Sequence, residues 1–88
     1  MLSAPQIAIL LTVSRVRGTK SVVVREVQAK YPDPRYQEAL WLREIDALLD
    51  LGYLEYPGFQ LRATEEGVRE VRQTASVLMP LVSEARCL

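Results

Sequence analysis

The segment between Leu48 and Arg69 constrains the fold of this chain more than any other part of the sequence. A long run with helical periodicity ends at Gly52, where glycine lets the backbone turn sharply. Two short β-type runs follow, Tyr53 to Tyr56 and Phe59 to Arg62, and they are joined by the pair Pro57 and Gly58. Proline followed by glycine suits a type II turn, whereas tight hairpins prefer the primed turns, so the pattern predicts a small hairpin with a slightly longer loop.

Helices are predicted on both sides of this hairpin. Ser3 and Gln6 form a capping-box pattern, and Asp33 followed by Pro34 is typical of a helix start. The predicted elements are a first helix from Ser3 to Arg17, a brief strand at Ser21 to Val23, a second helix from Val23 or Val24 to Tyr31, a third helix from Pro34 to Leu51, and a last helix capped by Thr64.

Apolar spacing predicts the core and a possible contact with a second copy. In the third helix, Trp41, Ile45 and Leu48 form the core stripe. In the last helix, apolar residues recur at intervals of three and four, as in a coiled-coil seam: Val68, Val71, Ala75, Leu78 and Val82. The seam predicts a homodimer interface, to which the almost uniformly apolar first helix would add. Pro80 interrupts the seam, and the alternative is that the stripe packs on the core of its own chain.

The chain length sets the domain organisation. With 88 residues there is room for one core only, so we expect a single domain over 1–88, with core and hairpin in 1–67 and a C-terminal helix and tail in 68–88. The order of elements predicts a mainly helical α+β fold. Cys87 is the one cysteine and excludes an intramolecular disulfide, and the apolar run Ile7 to Val13 is too short to span a bilayer. A cytoplasmic location without membrane contact is expected.

The sequence offers little for catalysis. It contains no histidine, Ser14 and Ser21 have no identifiable base, and there is no glycine-rich phosphate loop. Glu65 and Glu66 stand in a first helical turn, where negative charge interacts well with the helix dipole. We expect neither an enzyme, nor a bound cofactor, nor a metal site.

The stretches Leu-Leu-Asp-Leu-Gly-Tyr-Leu-Glu (48–55) and Leu-Arg-Ala-Thr-Glu-Glu-Gly-Val-Arg (61–69) carry a family resemblance. Together with the order of elements, they resemble the end of the recognition helix and the wing of MarR-like and PadR-like transcriptional regulators. The resemblance implies a winged helix-turn-helix fold and a homodimeric DNA-binding regulator. Ala63 departs from the leucine more usual in the family, and Arg62 is the one basic residue of a short wing.

In helix-turn-helix proteins the recognition helix enters the major groove with its N-terminal half. The outward side of that half is predicted to carry Arg35, Tyr36, Ala39 and Arg43. Arginine can contact guanine, alanine permits close approach and tyrosine can reach a phosphate. Further contacts to the DNA backbone are predicted for Lys20, Arg25, Gln28, Lys30 and Arg62.

Charge leaves a second interpretation open. Eleven basic and eleven acidic residues cancel, although residues 1–37 hold six basic and two acidic residues and residues 38–70 hold three basic and eight acidic residues. A winged helix of this balance also suits a protein-interaction module, whose partner contacts would be Glu38, Glu44, Asp46 and Asp50. In a third interpretation the outward face is simply solvated, with Arg43 paired to Asp46.

Overall fold

The computed structural model describes residues 2–74, which form four helices and one two-stranded antiparallel sheet. The elements are α1 (Ala4–Arg15), α2 (Lys20–Lys30), α3 (Glu38–Asp50), β1 (Leu54–Glu55), β2 (Arg62–Ala63) and α4 (residues 65–74). The fold is therefore mainly helical with a small sheet, which is compatible with the α+β class. The predicted interface residues Ala75, Leu78 and Val82 lie outside the described residues.

α1 begins as its sequence predicts. The Ser3 side chain accepts a hydrogen bond from the Gln6 N–H, and the Gln6 side chain accepts one from the Ser3 N–H at 3.0 Å. This reciprocal pair satisfies two of the amide groups that a helix N-terminus leaves free. The helix ends at Arg15, two residues before the predicted Arg17.

The predicted strand at Ser21 to Val23 is wrong, because these residues belong to α2. Thr19 is the N-cap, and its side chain accepts a hydrogen bond from the Val22 N–H at 3.4 Å. The cap lets the helix start at Lys20 in spite of the β-branched valines. The contact with the sheet comes instead from Gly18, which lies in a bend before α2 and whose carbonyl accepts the Leu61 N–H at 2.9 Å, next to β2.

α3 starts four residues later than predicted. Asp33 does not cap the helix, because its carboxylate accepts the Arg35 N–H at 2.9 Å and its carbonyl accepts the Tyr36 N–H at 3.0 Å. Aspartate commonly closes such a local turn, and here the turn separates Pro34 from α3. Gln37 takes the N-cap position without a side-chain hydrogen bond.

α3 ends at Asp50, one residue before the predicted Leu51, and Gly52 follows its C-cap as predicted. This residue has a φ of +81°, its N–H donates to the Leu49 carbonyl at 3.1 Å, and the Tyr53 N–H donates to the Leu48 carbonyl at 2.9 Å. The two bonds make a Schellman motif, which reverses the chain directly into β1. Leu54 then pairs with Ala63, and Glu55 pairs with Arg62.

The loop of the hairpin is longer than two residues, as predicted. A tight turn closed by the bond from the Gln60 N–H to the Pro57 carbonyl lies between the strands, with positive φ at both Gly58 and Phe59, and we call Pro57–Phe59 the hairpin tip. The predicted core stripe of α3 is confirmed, since Trp41, Ile45 and Leu48 are all buried. They pack with buried residues of the other elements: Ile9, Val13, Val23, Val27, Leu54 and Leu61.

Candidate nucleic-acid interface

The solvent-exposed side of α3 carries one small residue and three charged ones. Ala39, Arg43, Asp46 and Asp50 are all exposed, and their spacing places them on the face opposite the core stripe. The predicted orientation of Ala39 and Arg43 is confirmed. Glu38 is exposed at the first turn, so the helix presents acidic groups at both ends.

Arg35 lies before α3 and not on it. Its guanidinium contacts the Asp33 carboxylate through Nη2 to Oδ2 at 2.8 Å and through Nε to Oδ1 at 3.1 Å. The prediction that Arg35 begins the reading face of the helix is therefore wrong. Its side chain is 82% exposed, but the ion pair directs the charge toward the turn that precedes the helix.

This ion pair gives a prediction about pH. The side-chain and backbone hydrogen bonds from Arg35 lower the pKa of Asp33 to about 2. Because the folded-state pKa is lowered, the pair contributes fully above the ordinary aspartate value and is lost as the pH falls toward 2. A carbon-detected NMR titration should show the Asp33 carboxyl still ionised at pH 3. In Arg35→Ala the pKa should return toward 3.8, and an unchanged pKa would contradict the pairing.

Tyr36 also departs from the prediction. It is half-buried, and its ring centroid lies 5.3 Å from that of Trp41 at an angle of 40°. Packing against a buried tryptophan holds the ring toward the core, because the late start of α3 leaves Tyr36 in the turn. Tyr36 therefore does not project from the exposed side of α3.

Lys20 joins three elements at one point. Its Nζ lies 2.9 Å from Oδ1 of Asp46 on α3 and 5.5 Å from the ring centroid of Tyr56, next to β1. Its backbone N–H also donates to the Tyr56 hydroxyl at 3.5 Å. Asp46 is thus paired with Lys20, and not with Arg43 as in the third interpretation of the sequence. Arg43 forms no ion pair with any residue between 2 and 74.

The remaining predicted contacts of α2 are not brought together with Lys20. Arg25 is exposed, and Gln28 is half-buried beside the turn that holds Pro32 and Pro34. Lys30 is exposed at the C-terminal end of the helix. Since the helix turns by 100° per residue, Lys20 and Arg25 point in different directions.

Arg17 lies beside the hairpin, although it was not among the DNA contacts predicted from the sequence. The Arg62 side chain pairs with Glu55 on the neighbouring strand, with Nε to Oε1 at 3.5 Å. Because Gly18 bonds to Leu61, Arg17 is placed beside Arg62, and both line a surface cleft of about 480 Å³. The N-cap character of Thr19 was the available signal, because it leaves Arg17 and Gly18 outside the helices, in the loop before α2.

The predicted dimer seam is described only in its first turns. Val68 is 38% exposed, and Val71 is half-buried against the core. Together with α1 they line an apolar groove of about 210 Å³, to which Leu10, Leu11 and Ser14 contribute. The groove is open to solvent on the side where Val68 and Leu11 are exposed.

Residues 2–74 offer neither a cluster of metal ligands nor a membrane-spanning helix. Within that range no three histidine, cysteine or acidic side chains gather in a way that would hold a metal ion. None of the helices in the described part of the chain has both the length and the apolar character required to cross a membrane. Comparison with protein-family models, with curated proteins and with solved structures finds no match to this chain.

Proposed function

We propose that this chain is a winged helix-turn-helix protein that binds double-stranded DNA as a homodimer. One observation carries the proposal. Lys20 contacts both Asp46 and Tyr56, and so holds the N-terminus of α2, the exposed side of α3 and the hairpin side by side. The hydrogen bond between Gly18 and Leu61 supports the same fold, because it ties the segment before α2 to the hairpin. A regulator of the MarR-like or PadR-like kind would bind DNA with this side of the domain.

In the proposed complex, α3 enters the major groove with Ala39 and Arg43 toward the bases. Ala39 lets the helix approach closely, and Arg43 can form two hydrogen bonds with guanine. Arg43 is exposed and has no acidic partner within residues 2–74, so no intramolecular bond must be broken to make this contact.

In the proposed complex the DNA backbone is contacted by three cations beside the hairpin. We call them the basic edge: Arg17, Lys20 and Arg62. Lys20 and Arg62 are each held by one carboxylate, which fixes their positions but weakens their attraction for phosphate. Three phosphate contacts give a protomer little affinity. Two protomers provide six contacts, and counterion release then predicts a slope of about −5 for log affinity against log salt.

A second candidate function rests on the charge of α3. The helix carries four carboxylates and one guanidinium, a balance that repels DNA but suits a basic protein partner. In that case the fold would serve assembly and not DNA recognition, and the exposed acidic side chains of α3 would make the contacts.

The test uses the full 88-residue chain and a pool of randomised 30-base-pair duplexes. Repeated selection at low salt should enrich a palindromic duplex whose half-sites lie about one helical turn apart. Binding of that duplex, titrated with salt, should then give the slope stated above. If no duplex is enriched, or if affinity does not change with salt, the DNA proposal fails and the second candidate is favoured.

The homodimer can be tested separately by sedimentation velocity. Val68→Glu places a charge in the open groove between α1 and α4, where a partner would have to bury it. We expect dimer affinity to fall at least about a hundredfold, because burial of an unpaired carboxylate costs several kcal/mol. Gln73→Glu, an exposed position on α4, adds the same charge as a control. If both variants leave the wild-type mass distribution unchanged, the groove is not an interface.

A further inference from the structure

The hairpin tip projects a large apolar side chain into solvent. Phe59 is 74% exposed, and among the large apolar side chains of residues 2–74 the next most exposed is Leu51 at 55%. Its φ of +62° lies in the left-handed region, directly after Gly58 at +57°. A bulky residue rarely adopts that conformation, and here no burial of the ring offsets the strain.

The tip is held by its neighbours. The ring of Phe59 meets the ring of Tyr56 edge-on, with centroids 5.8 Å apart, and the Gln60 N–H donates to the Pro57 carbonyl at 3.1 Å. Tyr56 is in turn fixed by its contacts with Lys20. The phenyl ring is therefore presented on a preorganised support beside the exposed side of α3.

The edge-on contact with Tyr56 offsets only part of that strain, so folding alone does not favour a phenylalanine at this position. Glycine or asparagine adopts a positive φ with less strain, and either would remove an apolar ring from water. A strained and exposed aromatic residue is a reason to look for a binding role.

We infer that Phe59 is an apolar wedge that inserts between two base pairs of the bound duplex from the minor groove and kinks it. The inference rests on the proposed function and adds a specific contact to it. Side chains such as phenylalanine unstack base steps in this way when nearby cations hold the backbone. The basic edge provides Arg17 and Arg62 on one side of the hairpin and Lys20 beside Tyr56.

Two observations favour DNA over an apolar pocket on a protein as the target of this ring. Within the described residues, Phe59 is the one exposed large apolar side chain of the hairpin, whereas Leu11, Leu40, Leu51 and Val68 lie on or next to helices. A protein interface needs a surrounding patch that excludes water, whereas a wedge needs one side chain on a narrow support. The charged residues of the hairpin are Glu55 and Arg62, which pair with each other, and Arg17 and Lys20 add two cations beside it, so positive charge exceeds negative charge at this edge as contact with a phosphate backbone requires.

The experiment uses the full chain and the duplex enriched in the selection above, with dyes at both ends for energy transfer and 2-aminopurine replacing single adenines. Wild type should shorten the end-to-end distance and raise 2-aminopurine fluorescence at one step in each half-site. Phe59→Asn should bind about a hundredfold more weakly, because the dimer loses two stacking contacts worth about tenfold each, and should abolish both signals. Phe59→Leu keeps an apolar wedge and should retain most of the bend.

Thermal unfolding provides the control for folding. Phe59→Asn should unfold at the wild-type temperature or above it, since asparagine tolerates the left-handed conformation. If Phe59→Asn bends and binds the duplex like wild type, the wedge is refuted while the DNA-binding proposal stands. If it turns dimers into monomers in the absence of DNA, the tip is a protein contact and the wedge is again refuted. If the selection enriches no duplex at all, both proposals fail together.

Discussion

Gly67→Ala is expected to lower the free energy of unfolding by about 3 kcal/mol, the largest loss of stability that we anticipate from a single added methyl group. Gly67 is buried in the first turn of α4, where its N–H donates to the Thr64 hydroxyl at 3.1 Å. An added Cβ would overlap the carbonyl oxygen of Tyr53 and lie 3.1 Å from its carbonyl carbon. That carbonyl accepts the Thr64 N–H, also at 3.1 Å, so neither backbone segment can move away without breaking a bond.

Thermal unfolding followed by circular dichroism measures this effect. For a domain of this size, about 3 kcal/mol corresponds to a fall of roughly 12 to 24 °C in the unfolding temperature. Gly58→Ala is the matched control, because no atom lies within 4 Å of its added Cβ and only the positive φ is unfavourable. It should cost about 1 kcal/mol. Equal unfolding temperatures for the two variants would contradict the close packing of α4 on the chain after α3.

The double variant Arg17→Ala with Arg62→Ala is expected to reduce DNA affinity by about three orders of magnitude at 0.1 M salt. In a dimer it removes four of the six phosphate contacts that we propose. Counterion release then lowers the slope of log affinity against log salt from about −5 to about −2. Both side chains are exposed, so the loss should not reflect unfolding.

Fluorescence anisotropy of the selected duplex at a series of salt concentrations gives both quantities. Lys30→Ala is the control, because it removes one exposed positive charge at the C-terminal end of α2, away from the basic edge. Its slope should stay at the wild-type value. A double variant that keeps the slope of −5 would show that the phosphates are held elsewhere, and the basic edge would then have no part in binding.

The termini of several elements could be predicted because they depend on near neighbours in the sequence. Ser3 and Gln6 cap α1 through residues three positions apart, and the end of α3 at Gly52 requires only that residue and the helix before it. The prediction failed at Asp33 for an equally local reason. Its carboxylate can either cap a following helix or close its own turn, and the contact with Arg35 stabilises the turn.

The candidate site was less predictable, because its contacts join distant parts of the chain. Lys20 and Asp46 are 26 residues apart, and no periodicity within either helix indicates that they pair. Arg17 reaches the hairpin only because Gly18 bonds to Leu61, which is a consequence of tertiary structure. Sequence patterns identified the exposed side of α3 from Ala39 onward, but not which of the surrounding charges are already paired.

If the chain binds DNA as we propose, the salt bridge between Lys20 and Asp46 affects how a duplex is recognised. A phosphate that draws the ammonium group away from α3 leaves a bare carboxylate facing the polyanion. On our proposal, a mismatched sequence can gain this phosphate contact without the base contacts of α3, and the bare carboxylate then repels it. A matched sequence meets the same repulsion, but its base contacts outweigh it. Complexes with mismatched sequences would dissociate quickly, so the Lys20–Asp46 pair would shorten the residence time of the protein on incorrect sites.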